Sequence, residues 1–555
     1  MVVVVVVVDV VVVVVVVVVV DVEVGGVVAL VGLAASSSSP SPPVHAATRA
    51  STAQPDTSRR RNMCHDGIAA AGQLTVRFPA MRTEYDAVVV GSGPNGLVAA
   101  ITMAQAGLRT VVFEAASTPG GGCRTAELTE PGFRHDVCSA IHPLGLASAA
   151  LRELPLEEQG VRWRHPTVPL AHVLDDGAAL LHRSLDDTVA GLGADGAAWR
   201  RLLTPLVSGG LPLVDDVTSP LSVPRHPVRL ARFGLDALRP ATSLARRRFD
   251  GDHAAALFAG VAAHSILPLN RPLTSGVALA LAGLAHLVGW PCVEGGSQAL
   301  TDALVAILRE HDGDVVCDHR VDDLADLPSS MVVLADVTPR QLIAMAGDRF
   351  PARGRRRWSR FRYGAGVFKL DYALAEPVPW NDPAAAEAGT VHVGGTLADV
   401  AAAEAAVARG EHPDKPFVLA AQPSLFDPTR APPGRHTLWA YCHVPAGSTV
   451  DMTAPIEAQI ERFAPGFRDV VIARHAMNTA AIEAYNPNYF AGDIAGGVTD
   501  WRQFATRPVV SLRPWRTPVP GVYLCSSATP PGPAVHGMNG WWAAKLALRE
   551  HFGIR

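Results

Sequence analysis

At 555 residues the chain has room for two or three domains, or for one large two-lobed enzyme. A formal net charge of −4 excludes nucleic acid as the main partner, which would call for a strongly basic face. Hydrophobic residues make up 48% of the chain, which points to a large core, an apolar ligand cavity or contact with a membrane surface. The seven cysteines show no CxxC pair and no zinc spacing, so no metal site is expected, and they fit a reducing, cytoplasmic compartment.

The first eighty residues read as an extension. "MVVVVVVVDVVVVVVVVVVVDVEVGG" is nearly pure valine, yet Asp9, Asp21 and Glu23 interrupt it and no positive charge precedes Arg49. A signal peptide would open on positive charge, and acids inside a membrane span are costly. Residues 36–62 are rich in Ser, Pro, Thr and Arg and read as disordered linker. The expectation is that translation is assigned from too far upstream and that Met81 is the working start. A membrane anchor is the alternative.

Folded sequence begins with "EYDAVVVGSGPNGLVAAITMAQAGLRTVVFEA". A buried strand over Ala87–Val90, a turn at Gly91-Ser92-Gly93-Pro94-Asn95-Gly96, a helix over Leu97–Gln105 and a second strand at Thr110–Phe113 make a βαβ unit. Gly91 permits the tight turn, Gly93 lets backbone approach a pyrophosphate, and Gly96 lets helix and strand pack closely. Glu114 ends the second strand, where a carboxylate can accept from ribose hydroxyls. The same GxGxxG pattern recurs as "GLGADG" at 191–196, but no buried strand precedes it. That second match is expected to be a turn between helices.

Downstream, "DHAAALFAGVAAHSILPLNRPLTSGVALALAGLAHLVGW" (252–290) predicts long apolar helices, lining a tunnel or filling a core. His264 and His286 stand alone on them and are expected to be satisfied core histidines. "VEGGSQALTDALVAILREHDGDVVCDHRVDDL" (293–324) reads as helix then strand, and "MVVLADVTP" (331–339) as another buried strand. The arginine-rich 353–362 segment, with Trp358 and Phe361, suits a solvated connector or a contact with anionic headgroups. Near the end, "GVYLCSSATPPGPAVHGMNGWWAAKLAL" (521–548) is a strand, a Pro/Gly turn and a helix opening at Met538.

Taken together, GxGxxG…Glu114…Gly121-Gly122…Arg124 followed by "GFRHD" resembles the FAD-binding opening of glutathione-reductase-like flavoproteins, within which it is most similar to phytoene dehydrogenase-related proteins and flavin amine oxidases. The closing segment, "YNPNYFAGDIAGG" (485–497) and "ADVTPRQL" (335–342) carry the same likeness, which runs from about Tyr85 to the C-terminus. The resemblance implies an α/β, two-lobed FAD-binding fold with an interleaved α+β substrate domain. Residues 84–150, 291–345 and 485–555 would form the FAD-binding domain, and 151–290 with 346–484 the substrate domain.

It further implies FAD contacts from Gly91, Ser92, Gly93, Asn95, Gly96, Glu114, Gly121, Gly122, Arg124, Val321, Gly537, Met538 and Asn539. The first turn of the last helix would face the flavin, where negative charge accumulates on reduction. Lys369, in "GAGVFKLDYAL", matches the amine-oxidase lysine that positions a water at the flavin, and His536 is the second catalytic candidate, as a proton shuttle or as a holder of the turn.

Cys123 has no CxxxxC partner, and no second strand–GxGxxG–helix unit is present for a nicotinamide. Hydride would therefore pass from an apolar, isoprenoid- or lipid-like substrate to FAD, and oxygen or a quinone-like acceptor would reoxidise it. Peripheral membrane contact stays open. A flavin amine oxidase is the enzyme alternative, although Gly537 stands where its aromatic cage needs a tyrosine. A prenyl-GTPase escort-like binding protein is the non-catalytic alternative.

Overall fold

The computed structural model describes residues 84–219, 233–504 and 506–555, together with two two-residue strands at Val6–Val7 and Val12–Val13. The expectations for the extension and its start at Met81 lie otherwise outside the described residues.

In chain order, β1 (Glu84–Val90), α1 (Pro94–Gln105) and β2 (Thr110–Phe113) come first. Then follow β3 (Val168–Leu174), β4 (Gly177–Leu181), α2 (Leu185–Gly191), α3 (Gly196–Thr218), α4 (Asp252–Ala263) and α5 (Thr274–Val288). Next are α6 (Ser297–Glu310), β5 (Asp314–Val316) and β6 (Ser329–Ala335). The chain continues through β7 (Gly366–Leu374), β8 (Ala388–Val393), α7 (Leu397–Ala408), β9 (Val418–Ala421), β10 (His436–Val444) and β11 (Val471–Met477). It closes with β12 (Val522–Leu524) and α8 (Met538–Ala547).

These strands form two principal sheets. The first is parallel, in the order β5-β2-β1-β6-β12, and the second runs β11-β7-β10-β9-β8-β3-β4, antiparallel except where β8 meets β3. Strands of the first come from residues 84–113, 314–335 and 522–524, and those of the second from 168–181, 366–444 and 471–477.

Register decides where chemistry can gather. Val90 is level with Phe113 and Ala335, and Ala335 is level with Leu524. Gly91, Glu114, Asp336 and Cys525 therefore leave the same carboxyl edge side by side. The chain crosses from one side of β1 to the other at β6, and ligands of open parallel sheets sit at such a switch point.

The GLGADG repeat is the expected turn: Gly193–Asp195 is a short 3-10 segment between α2 and α3. Helix α5 resolves the two readings of its apolar sequence, because both hold on opposite faces. Ala278, Leu279, Ala282 and Ala285 join the buried core, while Val277, Ala280, Leu281 and Leu284 line a cavity. In the arginine-rich segment Trp358 and Phe361 are buried in a core cluster with Phe350, so their rings are not surface anchors. No described helix is long and apolar enough to cross a membrane.

Candidate cofactor and substrate cavity

One cavity of about 750 Å³ reaches from Gly91–Asn95 and Glu114 to the apolar side chains Leu206, Val214, Leu273, Val277, Leu281 and Leu284. Its first end is built by the βαβ turn. Gly91 has φ of +95°, and its N–H donates to the Phe113 carbonyl at 2.8 Å. A Cβ on Gly93 would stand 2.6 Å from Asp336 Oδ2, and one on Gly96 would stand 2.1 Å from the Gly91 carbonyl oxygen. Only glycine keeps this backbone open to a ligand and flush against its own strand.

Glu114 is fixed from both sides. One oxygen accepts from the Ser92 N–H at 2.9 Å and the Ser92 hydroxyl at 2.5 Å. The other accepts from the Ala116 N–H at 2.9 Å and from Arg124 Nη2 at 3.2 Å. The Ser92 and Arg124 contacts tie the glycine turn to the 120–124 turn, whose Gly120 N–H reaches the Ser92 carbonyl at 3.1 Å. Val321, after β5, also lines the cavity.

Sequence reasoning missed three side chains here. Tyr485 donates its hydroxyl to the Gly121 carbonyl at 2.7 Å, Asn488 Nδ2 donates to the Asp336 carbonyl at 2.9 Å, and the Tyr489 hydroxyl would lie 2.1 Å from a Cβ on Gly122. The YNPNYF stretch is thus a strap across two turns, legible beforehand only as a likeness. Asp336 was missed as well. Its Oδ2 accepts from the Gly96 N–H at 3.0 Å, and burial, with the Glu114 charge adding to it, pushes its carboxyl up to about 7.

At the C-terminal end packing sets the lining. Pro531, Pro533, Ala534, Val535 and His536 line the cavity, whereas Gly537, Met538 and Asn539 stand one layer behind. The reason is packing of α8 on α1: a Cβ on Gly540 would meet the Asn95 carbonyl oxygen at 1.8 Å, and one on Gly537 would meet Val98 Cγ2 at 2.5 Å. The Met538 N–H is used internally, donating to His536 Nδ1 at 3.0 Å, and Asn539 Nδ2 donates to the Thr529 carbonyl at 2.6 Å.

His536 is placed to hold the turn. Its Nε2 lies 3.2 Å from the Gly532 carbonyl, so that nitrogen carries the proton and Nδ1 accepts. Burial lowers its pKa to about 4, which keeps the ring neutral. Lys369 lies in the second sheet, on β7. It is buried, pairs with Asp371, and lies 5.9 Å from the centre of the Trp439 ring; Trp439, not Lys369, lines the cavity. Asp371 in turn sits 3.7 Å from His135 Nδ1.

The residues present fit a flavin dinucleotide. Glycines whose Cβ atoms would fill the cradle, a carboxylate at the end of β2 and an arginine beside it are a donor and acceptor set for an adenosine pyrophosphate. Fold and site together are those of an FAD-dependent oxidoreductase. A family model for an NAD(P)-binding Rossmann-like domain matches residues 89–154.

Among its homologues is pyridine nucleotide-disulfide oxidoreductase domain-containing protein 2 of Mus musculus, 27% identical over 85% of this chain and 94% of that protein. Hydroxyneurosporene desaturase of Rhodobacter capsulatus is 57% identical over 44 residues, covering 8% of this chain and 9% of that enzyme. Among solved structures, a cofactor-binding variant of putrescine oxidase superposes with a TM-score of 0.54 at 18% identity, covering 84% of this chain and 98% of that one.

Proposed function

We propose that the protein oxidises an apolar, isoprenoid- or lipid-like molecule, with residues 84–150, 291–345 and 485–555 as the FAD-binding domain and 151–290 with 346–484 as the substrate domain. The observation that carries this reading is the continuity of one cavity from the glycine turn to a wall of leucine and valine. Gly91–Asn95, Glu114, Arg124 and Val321 would hold FAD, which supplies a two-electron acceptor for hydride when bound. The chain's part is to orient the substrate on the α3 and α5 side chains and to exclude water there. An acceptor such as oxygen or a quinone would complete turnover.

The amine-oxidase alternative meets a steric obstacle. Gly537 has φ of +68° and no space for a Cβ beside Val98, so no tyrosine of an aromatic cage stands there in this packing. The deciding measurement is the visible spectrum of protein expressed from Met81, before and after heat release of cofactor. Flavin bands with FAD in the supernatant are expected. A folded, colourless protein that also rejects added FAD would overturn the proposal.

A further inference from the structure

One wall of the substrate end is unlike the rest. His264, Trp290, Thr390, Trp439 and Tyr441 line the cavity along with the aliphatic side chains. Trp290 is satisfied, its indole N–H donating to Thr390 Oγ1 at 2.8 Å. The Trp439 indole N–H is buried without a partner. His264 Nε2 lies 2.9 Å from His392 Nε2, which occupies one ring nitrogen and leaves Nδ1.

Behind this wall lie more imidazoles. His172 and His392 are level in neighbouring strands, and a Cβ on Gly260 would stand 2.4 Å from one Nδ1 and 2.5 Å from the other. Both Nδ1 atoms are buried without partners, as is Nε2 of His443, whose Nδ1 meets Glu404 at 2.8 Å. A buried polar atom left unpaired is destabilising. An apolar lobe that retains this group of them carries a polar function there rather than added stability.

The chemistry of that function follows from protonation. Burial lowers His264 to about 3 and His172 to about 4 and holds His392 well below its ordinary value, so these three rings are neutral. His172 donates from Nε2 to the Gly395 carbonyl at 2.7 Å, which fixes its tautomer. His264 and His392 share a single proton along their contact. With that proton on His392, His264 donates from Nδ1; with it on His264, Nδ1 accepts. The pair can therefore meet a hydroxyl or an oxo group. A charged headgroup would be buried against neutral rings with no counter-ion beside them, which disfavours it.

We infer that His264, backed by His392 and sharing the cavity lining with Trp439, is a hydrogen-bonding subsite for one uncharged oxygen function, hydroxyl or oxo, on an otherwise apolar substrate. This rests on the reading of the cavity as the substrate site.

The test uses the FAD-loaded protein and three eight-carbon probes, 1-octanol, n-octane and octylammonium, with binding read from perturbation of the flavin bands. One net hydrogen bond corresponds to a preference for 1-octanol over n-octane of about tenfold. His264→Leu should remove that preference while n-octane binds as before, and Trp439→Phe, a milder change, should reduce it severalfold. Octylammonium should bind more weakly than either. Equal binding of 1-octanol and n-octane to the wild type, or a preference that survives both substitutions, would overturn the subsite and leave the apolar site standing. Binding of none of the probes by FAD-loaded protein would overturn both.

Discussion

Gly93→Asp is the substitution that addresses the cofactor cradle most directly. A Cβ at Gly93 stands 2.6 Å from Asp336 Oδ2 and 3.7 Å from Asp336 Cγ, and that oxygen is held in place by the Gly96 N–H. The neighbour therefore cannot swing away without losing a buried hydrogen bond. Overpacking of this kind costs about 1–3 kcal/mol, and Gly93→Ala measures it alone. The aspartate also brings a negative charge to the turn where an anionic pyrophosphate would lie. At about 4 Å and an effective dielectric of ~20, two unit charges repel by ~4 kcal/mol, which is about a thousandfold in affinity for that anion.

Flavin-to-protein absorbance after desalting, with Kd from quenching of FAD fluorescence, reads the loss, and a thermal melt confirms that the variant folds. Gly93→Ala should lose about ten- to a hundredfold in affinity and Gly93→Asp at least a further order of magnitude. Stoichiometric FAD with unchanged Kd in Gly93→Asp would refute the cradle. Equal losses in the two variants would refute the charge argument.

Two further outcomes follow from the site. Asp336 binds a proton in the folded state up to about 7, against an ordinary value of 3.8. Between those values the folded state holds more protons than the unfolded, so stability falls as pH rises through that window, by ~4 kcal/mol at most, and is level above it. Asp336→Asn should flatten the profile; urea unfolding at pH 5, 6, 7 and 8 measures it, and parallel curves for the two proteins would sink the assignment. Lys369→Met leaves the Asp371 carboxylate buried without its ammonium and should cost about 3–5 kcal/mol, while Lys369→Met combined with Asp371→Leu should recover most of it. A melt in which the single variant equals the wild type would contradict the buried pair.

Much of the dinucleotide half was legible along the chain. Strand, glycine turn, helix and terminal acid lie within one local unit, and their periodicity and glycine spacing are sequence properties. Rejecting the second GxGxxG match worked for the same reason, since the absence of a buried strand before Gly191 is local. His286 was read correctly as a satisfied core residue, its ring nitrogens meeting Trp199 Nε1 and the Arg183 carbonyl, each at 3.3 Å. His264 likewise has a partner, His392 Nε2 at 2.9 Å, but that partner comes from a strand far along the chain, and its place on the cavity lining had no local trace.

What the sequence determined by itself was the nucleotide-binding unit and the pairing of chain ends that the likeness implied. Tertiary structure alone decided which atoms face the cavity. Gly96 and Asp336 are 240 residues apart, and Tyr485 is 364 from Gly121. Neither contact leaves a local trace: the first follows from the register of β1 and β6, and the second from the Tyr485 segment crossing the 120–124 turn. The docking of α8 on α1 turns Gly537, Met538 and Asn539 inward and leaves Pro533–His536 at the wall. Periodicity fixes the face a side chain shares with its neighbours in sequence; only close packing between distant elements fixes what that face meets.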